Sequence, residues 1–81
     1  MENIDVVKSF VSGKNYLRSN TSLVLLSGCL YSYNILLAKR DGDKIIINSK
    51  LRGFSKTSTT HFNMVLNECE EQGVNYEIKE L

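Results

Sequence analysis

The fold of this chain is decided by residues 30–66, LYSYNILLAKRDGDKIIINSKLRGFSKTSTTHFNMVL. Two apolar runs flank Asp41-Gly42, and an Asp-Gly pair in that position favours a two-residue type I′ turn, whose central residues both need positive φ. The segment therefore predicts a long strand over about 29–39, a hairpin, a second strand ending at Asn48, and a helix over about 57–72.

The turn at Asp41-Gly42 sets the register, and the register decides which side of the hairpin is buried. It aligns Lys39 with Lys44, and burying two like charges opposite each other would be costly, so the other face is the predicted core. The predicted core residues of the hairpin and the second helix are Leu36, Ala38, Ile45, Ile47, Phe62, Val65, Leu66 and Cys69. The N-terminal helix is expected to cover the remaining apolar face, and a partner is the alternative.

The rest of the chain adds smaller elements to this hairpin and helix. Apolar residues at helical spacing predict a helix over 3–12, capped by Asn3. Short strands are predicted at 14–18 and 22–26, and alternation over 74–81 predicts a closing edge strand. The sequence thus predicts one small α+β domain over residues 1–81, an antiparallel sheet of four or five strands with two helices.

Composition narrows the class of protein. The chain has 81 residues, a net charge of +1, two cysteines and one histidine, with no metal-ligand spacing between them. We therefore expect reduced thiols, no metal and no cofactor. Because neither a signal-peptide pattern nor an apolar run of membrane length occurs, we expect a cytoplasmic protein with no membrane partner. Charge is uneven, since residues 14–56 are strongly basic and residues 57–81 are acidic.

Four segments together resemble a family of small uncharacterised proteins of bacteriophages and bacteria. They are Ser32-Tyr33-Asn34, Leu37-Ala38-Lys39, the hairpin segment 42–48 (GDKIIIN) and the helix start 53–63 (GFSKTSTTHFN). The resemblance implies a phage-like source and a small accessory protein that acts on host machinery. It implies no established activity.

One candidate site lies at the predicted start of the second helix. Free amides, hydroxyls and the helix dipole favour a bound phosphate or carboxylate there. The residues expected to line this working surface are Arg52, Lys56, Ser58, Thr59 and His61. Helix capping alone is the alternative explanation of the hydroxyls.

A second candidate site is a nucleic-acid platform of aromatic and basic side chains. Two strand tyrosines would stack on bases beside three cations. The residues are Tyr31, Tyr33, Lys39, Arg40 and Lys44. The alternative is that both tyrosines simply favour the β conformation.

Three classes of function follow, of which an enzyme built on His61 is the weakest. Its hydroxyl neighbours at 58–60 point in different directions on a helix, and no acid lies nearby in sequence, so we expect no catalysis. A small nucleic-acid-binding module is the alternative, although dedicated binders are usually more basic. The leading expectation is a non-enzymatic phage-type protein that inhibits or redirects a host protein, such as a nucleic-acid-dependent defence complex, in the manner of an anti-CRISPR protein. Small size also predicts a homodimer, through the closing strand or the uncovered apolar face of the sheet.

Overall fold

The computed structural model describes residues 2–18 and 22–81, which form two helices and one sheet. The elements are α1 (Asn3–Ser12), β1 (Tyr16–Arg18), β2 (Leu23–Leu26), β3 (Cys29–Ser32), β4 (Ile35–Asp41), β5 (Lys44–Asn48), a one-turn 3₁₀ helix (Ser49–Leu51), α2 (Lys56–Gln72) and β6 (Asn75–Lys79). The predicted small α+β domain, with two helices and a mostly antiparallel sheet, is confirmed. Five strands have four to seven residues, and the three-residue β1 adds a sixth.

The strands lie in the sheet in the order in which they occur in the chain. Strands β1 to β5 form a continuous antiparallel meander. The last strand departs from the predicted antiparallel pattern, because α2 carries the chain back along the sheet and β6 then pairs parallel to β5. The closing strand is an edge strand, as predicted.

The predicted long strand over 29–39 is two strands joined by a tight turn at Tyr33-Asn34. Both turn residues have positive φ, 50° and 68°, and the flanking Ser32 and Ile35 are paired. This is the backbone of a type I′ hairpin, in which Asn is favoured and Tyr is uncommon. The prediction was wrong because the turn contains no glycine and lies between apolar runs.

The turn of the next hairpin lies one residue later than predicted, which shifts each cross-strand partner on β5 by two residues. Asp41 pairs with Lys44, so the loop is Gly42-Asp43, with a φ of 64° at Gly42. Positive φ at the first central residue alone is the pattern of a type II′ turn. As a result Lys39 lies opposite Ile46, and the two lysines are not cross-strand neighbours.

The core lies between one face of the sheet and both helices. Its buried residues include Val6, Val7, Phe10, Val11, Leu23, Leu25, Leu30, Leu37, Ala38, Ile45, Ile47, Leu51, Phe62, Val65 and Cys69. Seven of the eight predicted core residues take part, with Leu66 only partly buried. The exception is Leu36, which is not part of the core. Leu37 is buried there instead, because the pairing of β3 with β4 shifts register at this point and leaves Leu37 without a partner on β3.

The N-terminal helix does not cover the second face of the sheet, contrary to expectation. Helix α1 packs beside α2, and its buried residues belong to the same core as those of α2. Its capping also differs, since the N-cap is Glu2 rather than Asn3, and the Asp5 carboxylate accepts a hydrogen bond from the Glu2 amide at 3.1 Å. Neither of the two helices formed by the described residues therefore packs on the other side of the sheet.

Candidate functional site

The single histidine lies inside the molecule, where β3, α1 and α2 meet. His61 is 2% exposed, and its Nδ1 lies 2.7 Å from Oγ of Ser32, which is fully buried. Its Nε2 lies 3.3 Å from Asn3 Nδ2 and 3.4 Å from Ser22 Oγ. The ring of Tyr33 stacks over it with centroids 6.1 Å apart. Both ring nitrogens therefore have polar neighbours.

His61, Ser32, Asn3 and Ser22, called the His61 cluster below, form a hydrogen-bonded network that supports the fold. Burial lowers the pKa of His61, so the neutral imidazole is favoured. Ser32 and His61 are within reach of each other as a nucleophile and base would be, but neither is accessible to a substrate. Among the described residues no buried side-chain nitrogen or oxygen lacks a hydrogen-bond partner. The arrangement stabilises the fold.

Residues 49–56, called the basic loop below, connect β5 to α2 in a fixed conformation. The fully buried side chain of Leu51 anchors the loop to the core. The amide of Lys50 donates to the Asn48 side chain at 3.0 Å, and that of Gly53 donates to Thr59 Oγ1 at 2.8 Å. Phe54 also has a backbone bond, to the Leu51 carbonyl at 3.3 Å. The loop is thus held by hydrogen bonds within itself and to the neighbouring Asn48 and Thr59 before any partner binds.

The basic loop presents three cations and one aromatic ring to solvent. Lys50, Arg52 and Lys56 are exposed, and none of them forms an ion pair with a described residue. Phe54 is 62% exposed. The Arg52 guanidinium lies 5.8 Å from the centroid of the Phe62 ring, which orients it without neutralising its charge. No acidic residue occurs in residues 44–67.

The structure separates the five residues predicted to line one working surface. Arg52 and Lys56 are exposed, whereas Ser58 and His61 are buried at 3% and 2% exposure. Thr59 is half-buried, and its hydroxyl donates to the Ser55 carbonyl. Only the two cations and part of Thr59 are accessible.

Capping accounts for the hydroxyls at the start of α2. The helix begins at Lys56 rather than at 57, and its N-cap is Ser55, whose Oγ accepts a hydrogen bond from the Ser58 amide at 3.0 Å. The capping alternative therefore explains this segment. Sequence reasoning gave no role to Phe54, although a large apolar residue in a polar, glycine-containing loop is a usable signal of a contact surface.

The side of the sheet without helices is called the open face below. The strand register places on it Val24, Leu26, Cys29, Tyr31, Leu36, Lys39, Lys44, Ile46 and Glu77. Its residues from β2 and β3 form an apolar area, where Leu26 is 50% exposed. A shallow depression lies there, lined by Val24, Leu26, Tyr31 and Asn34. Lys44 is paired at 3.3 Å with Glu77, and Lys39 forms no ion pair with a described residue.

Two members of the predicted nucleic-acid platform lie away from the open face. Tyr33 is in the hairpin turn against His61. Arg40 points into the helix side, where its guanidinium donates to the carbonyl oxygens of Phe10 and Lys14 at 2.5 and 2.8 Å. It therefore supplies the cation that the C-terminal end of α1 lacks. Tyr31, Lys39 and Lys44 remain together.

Metal and membrane sites are not found among the described residues. These residues contain no group of three or more His, Cys, Asp or Glu side chains that could hold a metal ion. Within the same residues no helix is both long and apolar enough to span a bilayer. Both cysteines are free, and burial, with help from Glu68 and Glu70, raises the pKa of the Cys69 thiol to about 11.

Comparison with known proteins gives no relative from which a role could be transferred. No family model, curated protein or solved structure matches the chain. The resemblance to phage proteins stays a prediction, and function has to be argued from the surfaces described above.

Proposed function

We propose that this chain is a non-enzymatic accessory protein that binds an acidic partner protein through the basic loop. The observation that carries the proposal is a set of three exposed cations around Phe54, on a loop whose backbone is held by hydrogen bonds. The cations are Lys50, Arg52 and Lys56, and none of them forms an ion pair with a described residue. A core needs none of these four side chains.

The physical properties of the loop suit protein recognition. Aromatic and arginine side chains are the commonest residues to contribute strongly at interfaces, and Phe54 lies close in sequence to Arg52. Because hydrogen bonds already hold the loop, binding costs little ordering entropy. The surrounding lysines accelerate association with an acidic surface. The partner surface that fits is an apolar pocket with carboxylates at its rim.

The proposed biological setting follows from the phage-like resemblance. A small host-directed protein would act in the host cytoplasm by occupying a surface of a host protein, and a nucleic-acid-dependent defence complex is one such target. Such a complex carries acidic surfaces or nucleic acid, which a basic loop can contact. Catalysis is not part of the proposal.

Affinity capture from bacterial lysate, followed by measurements on loop variants, tests the proposal. The captured protein should remain bound after nuclease treatment. Replacing Arg52 and Lys56 by Ala should then weaken its binding by about tenfold or more, and Phe54→Ala should weaken it as well. The matched control is replacement of Lys8 and Lys14, two exposed lysines near α1, which should leave affinity unchanged. Equal affinity of the R52A/K56A variant and the parent would overturn the proposal.

A second candidate function, nucleic-acid binding, is favoured by one observation. Tyr31, Lys39 and Lys44 share the open face, so a base stacked on the tyrosine would have its phosphates near two lysines. Nucleic-acid binding at the open face and protein binding at the basic loop predict different effects of the same variants. Replacing Lys39 and Lys44 by Ala should weaken binding to single-stranded oligonucleotides and reduce the steep salt dependence, while the R52A/K56A variant binds them normally. Loss of capture after nuclease treatment would favour this second function.

A further inference from the structure

Strand β6 forms an outer edge of the sheet and pairs with β5 on one side only. Four of its five residues, Asn75, Glu77, Ile78 and Lys79, are exposed, and Tyr76 is half-buried. Ile78 is 38% exposed, a large apolar side chain at an edge. Such an edge offers unpaired main-chain groups to another strand.

The charges of β6 are self-complementary about Ile78. An antiparallel two-fold pairing centred on this residue places Ile78 opposite its own copy. The same operation places Glu77 of each chain opposite Lys79 of the other, twice in the pair. We propose that β6 pairs antiparallel with β6 of a second copy in this register, forming a homodimer with one continuous sheet.

The charges also disfavour the in-register parallel pairing of the same two strands. A parallel in-register pairing puts Glu77 against Glu77 and Lys79 against Lys79, which is repulsive. Charges at a sheet edge usually prevent pairing altogether. Here opposite charges flank a central apolar residue, so they favour the antiparallel orientation centred on Ile78.

The side chains that would meet across the dimer are already held in place. Glu77 Oε2 lies 3.3 Å from Lys44 Nζ and 3.8 Å from Lys79 Nζ, on the open face. All three side chains are about half exposed, which leaves them free to contact a second chain. Side chains directly opposite in antiparallel strands are about 4.5–5.5 Å apart at Cβ, within reach of a Glu-Lys pair. Ile78 lies on the other side of the strand, where the two copies bury each other.

Charge reversal on β6 tests this register without changing the core. Light scattering of the parent protein at about 100 µM should give the mass of a dimer, since a small interface of this kind binds at micromolar concentrations. Glu77→Lys and Lys79→Glu each place like charges across the strand pair and should weaken the dimer about tenfold. Thermal unfolding checks that both variants fold.

Mixing the two variants gives the decisive result. Each is repelled by its own copy, but E77K and K79E chains complement each other at both positions, so an equimolar mixture should recover the dimer as a heterodimer. Lys39→Glu, a charge reversal on the open face away from β6, is the matched control and should leave the dimer intact. A monomeric parent protein, failure of the mixture to dimerise, or a dimer broken by K39E but not by E77K would each overturn the proposal.

Discussion

Residues 52–61 contain two regions that look alike in sequence and differ in the folded chain. At one end Arg52 and Lys56 are exposed and form no ion pair with a described residue, and at the other His61 is buried against Ser32. Both ends consist of polar residues near a helix start. The difference teaches that polar composition marks a candidate site, while contacts from distant strands decide whether its groups are available to a partner.

The largest effect that separates the two regions is expected from His61→Ala. It leaves a cavity in the interior and removes the partner of the Ser32 hydroxyl, so it should lower the free energy of unfolding by about 2–4 kcal/mol. Thermal and urea unfolding measure this. The neighbouring exposed Thr60→Ala should change it by only about 0.5 kcal/mol. Similar stability of both variants would contradict the structural role of the histidine.

Replacing Arg40 and Arg52 separately compares a cation that supports the fold with a cation that is exposed to a partner. Arg40→Ala removes hydrogen bonds to Phe10 and Lys14 and a guanidinium lying 5.3 Å from the Phe10 ring centroid. We expect a loss of about 1.5–3 kcal/mol in urea unfolding. Arg52→Ala removes one ring contact at the surface and should cost about 0–1 kcal/mol. A larger loss of stability from Arg52→Ala than from Arg40→Ala would contradict these assigned roles.

The pH dependence of stability gives a smaller effect that reports on His61 alone. Burial lowers the pKa of His61 in the folded protein, so below about pH 6.5 the unfolded chain binds the proton more readily. Stability should therefore fall as pH decreases from about 6.5 towards the folded-state pKa, with no contribution from this residue at higher pH. Urea midpoints between about pH 8 and pH 5 measure it. His61→Gln should remove this component, and an unchanged pH profile would contradict it.

The smallest change in stability is expected from R52A/K56A. Both side chains are exposed and neither is in an ion pair with a described residue, so the free energy of unfolding should change by about 0–1 kcal/mol. The same variant is expected to lose partner binding. A strongly destabilised double variant would mean that the basic loop supports the fold, and its exposed charges would then no longer stand out as a binding surface.

The sequence predicts the class of the fold well because the class depends on apolar periodicity. Helix α1 has the predicted bounds, and the core of α2 and β5 is as expected. The turn between β4 and β5 was predicted one residue too early. The segment Asp41-Gly42-Asp43 can form a two-residue loop at either Asp41-Gly42 or Gly42-Asp43, and packing of the whole sheet selects the second. The turn at Tyr33-Asn34 was not predicted, because it contains no glycine and its first position holds a tyrosine, which rarely adopts positive φ.

The candidate site was less predictable, because its contacts are distant in sequence. Ser32 and Asn3 are separated from His61 by 29 and 58 residues, and nothing local to any of them indicates that they meet. The charge of the basic loop was visible in the sequence. Whether each cation would find a carboxylate depended on the packing of other elements, which periodicity does not give.

The mixed sheet has a consequence for the order in which the chain folds. Hairpins between β1 and β5 close loops of a few residues, whereas β6 can pair with β5 only after α2 has crossed the sheet. Short loop closures cost less entropy and occur faster, so we expect the meander to form early and β6 to add last. During synthesis we therefore expect β5 to be a temporary edge of the sheet until β6 pairs with it.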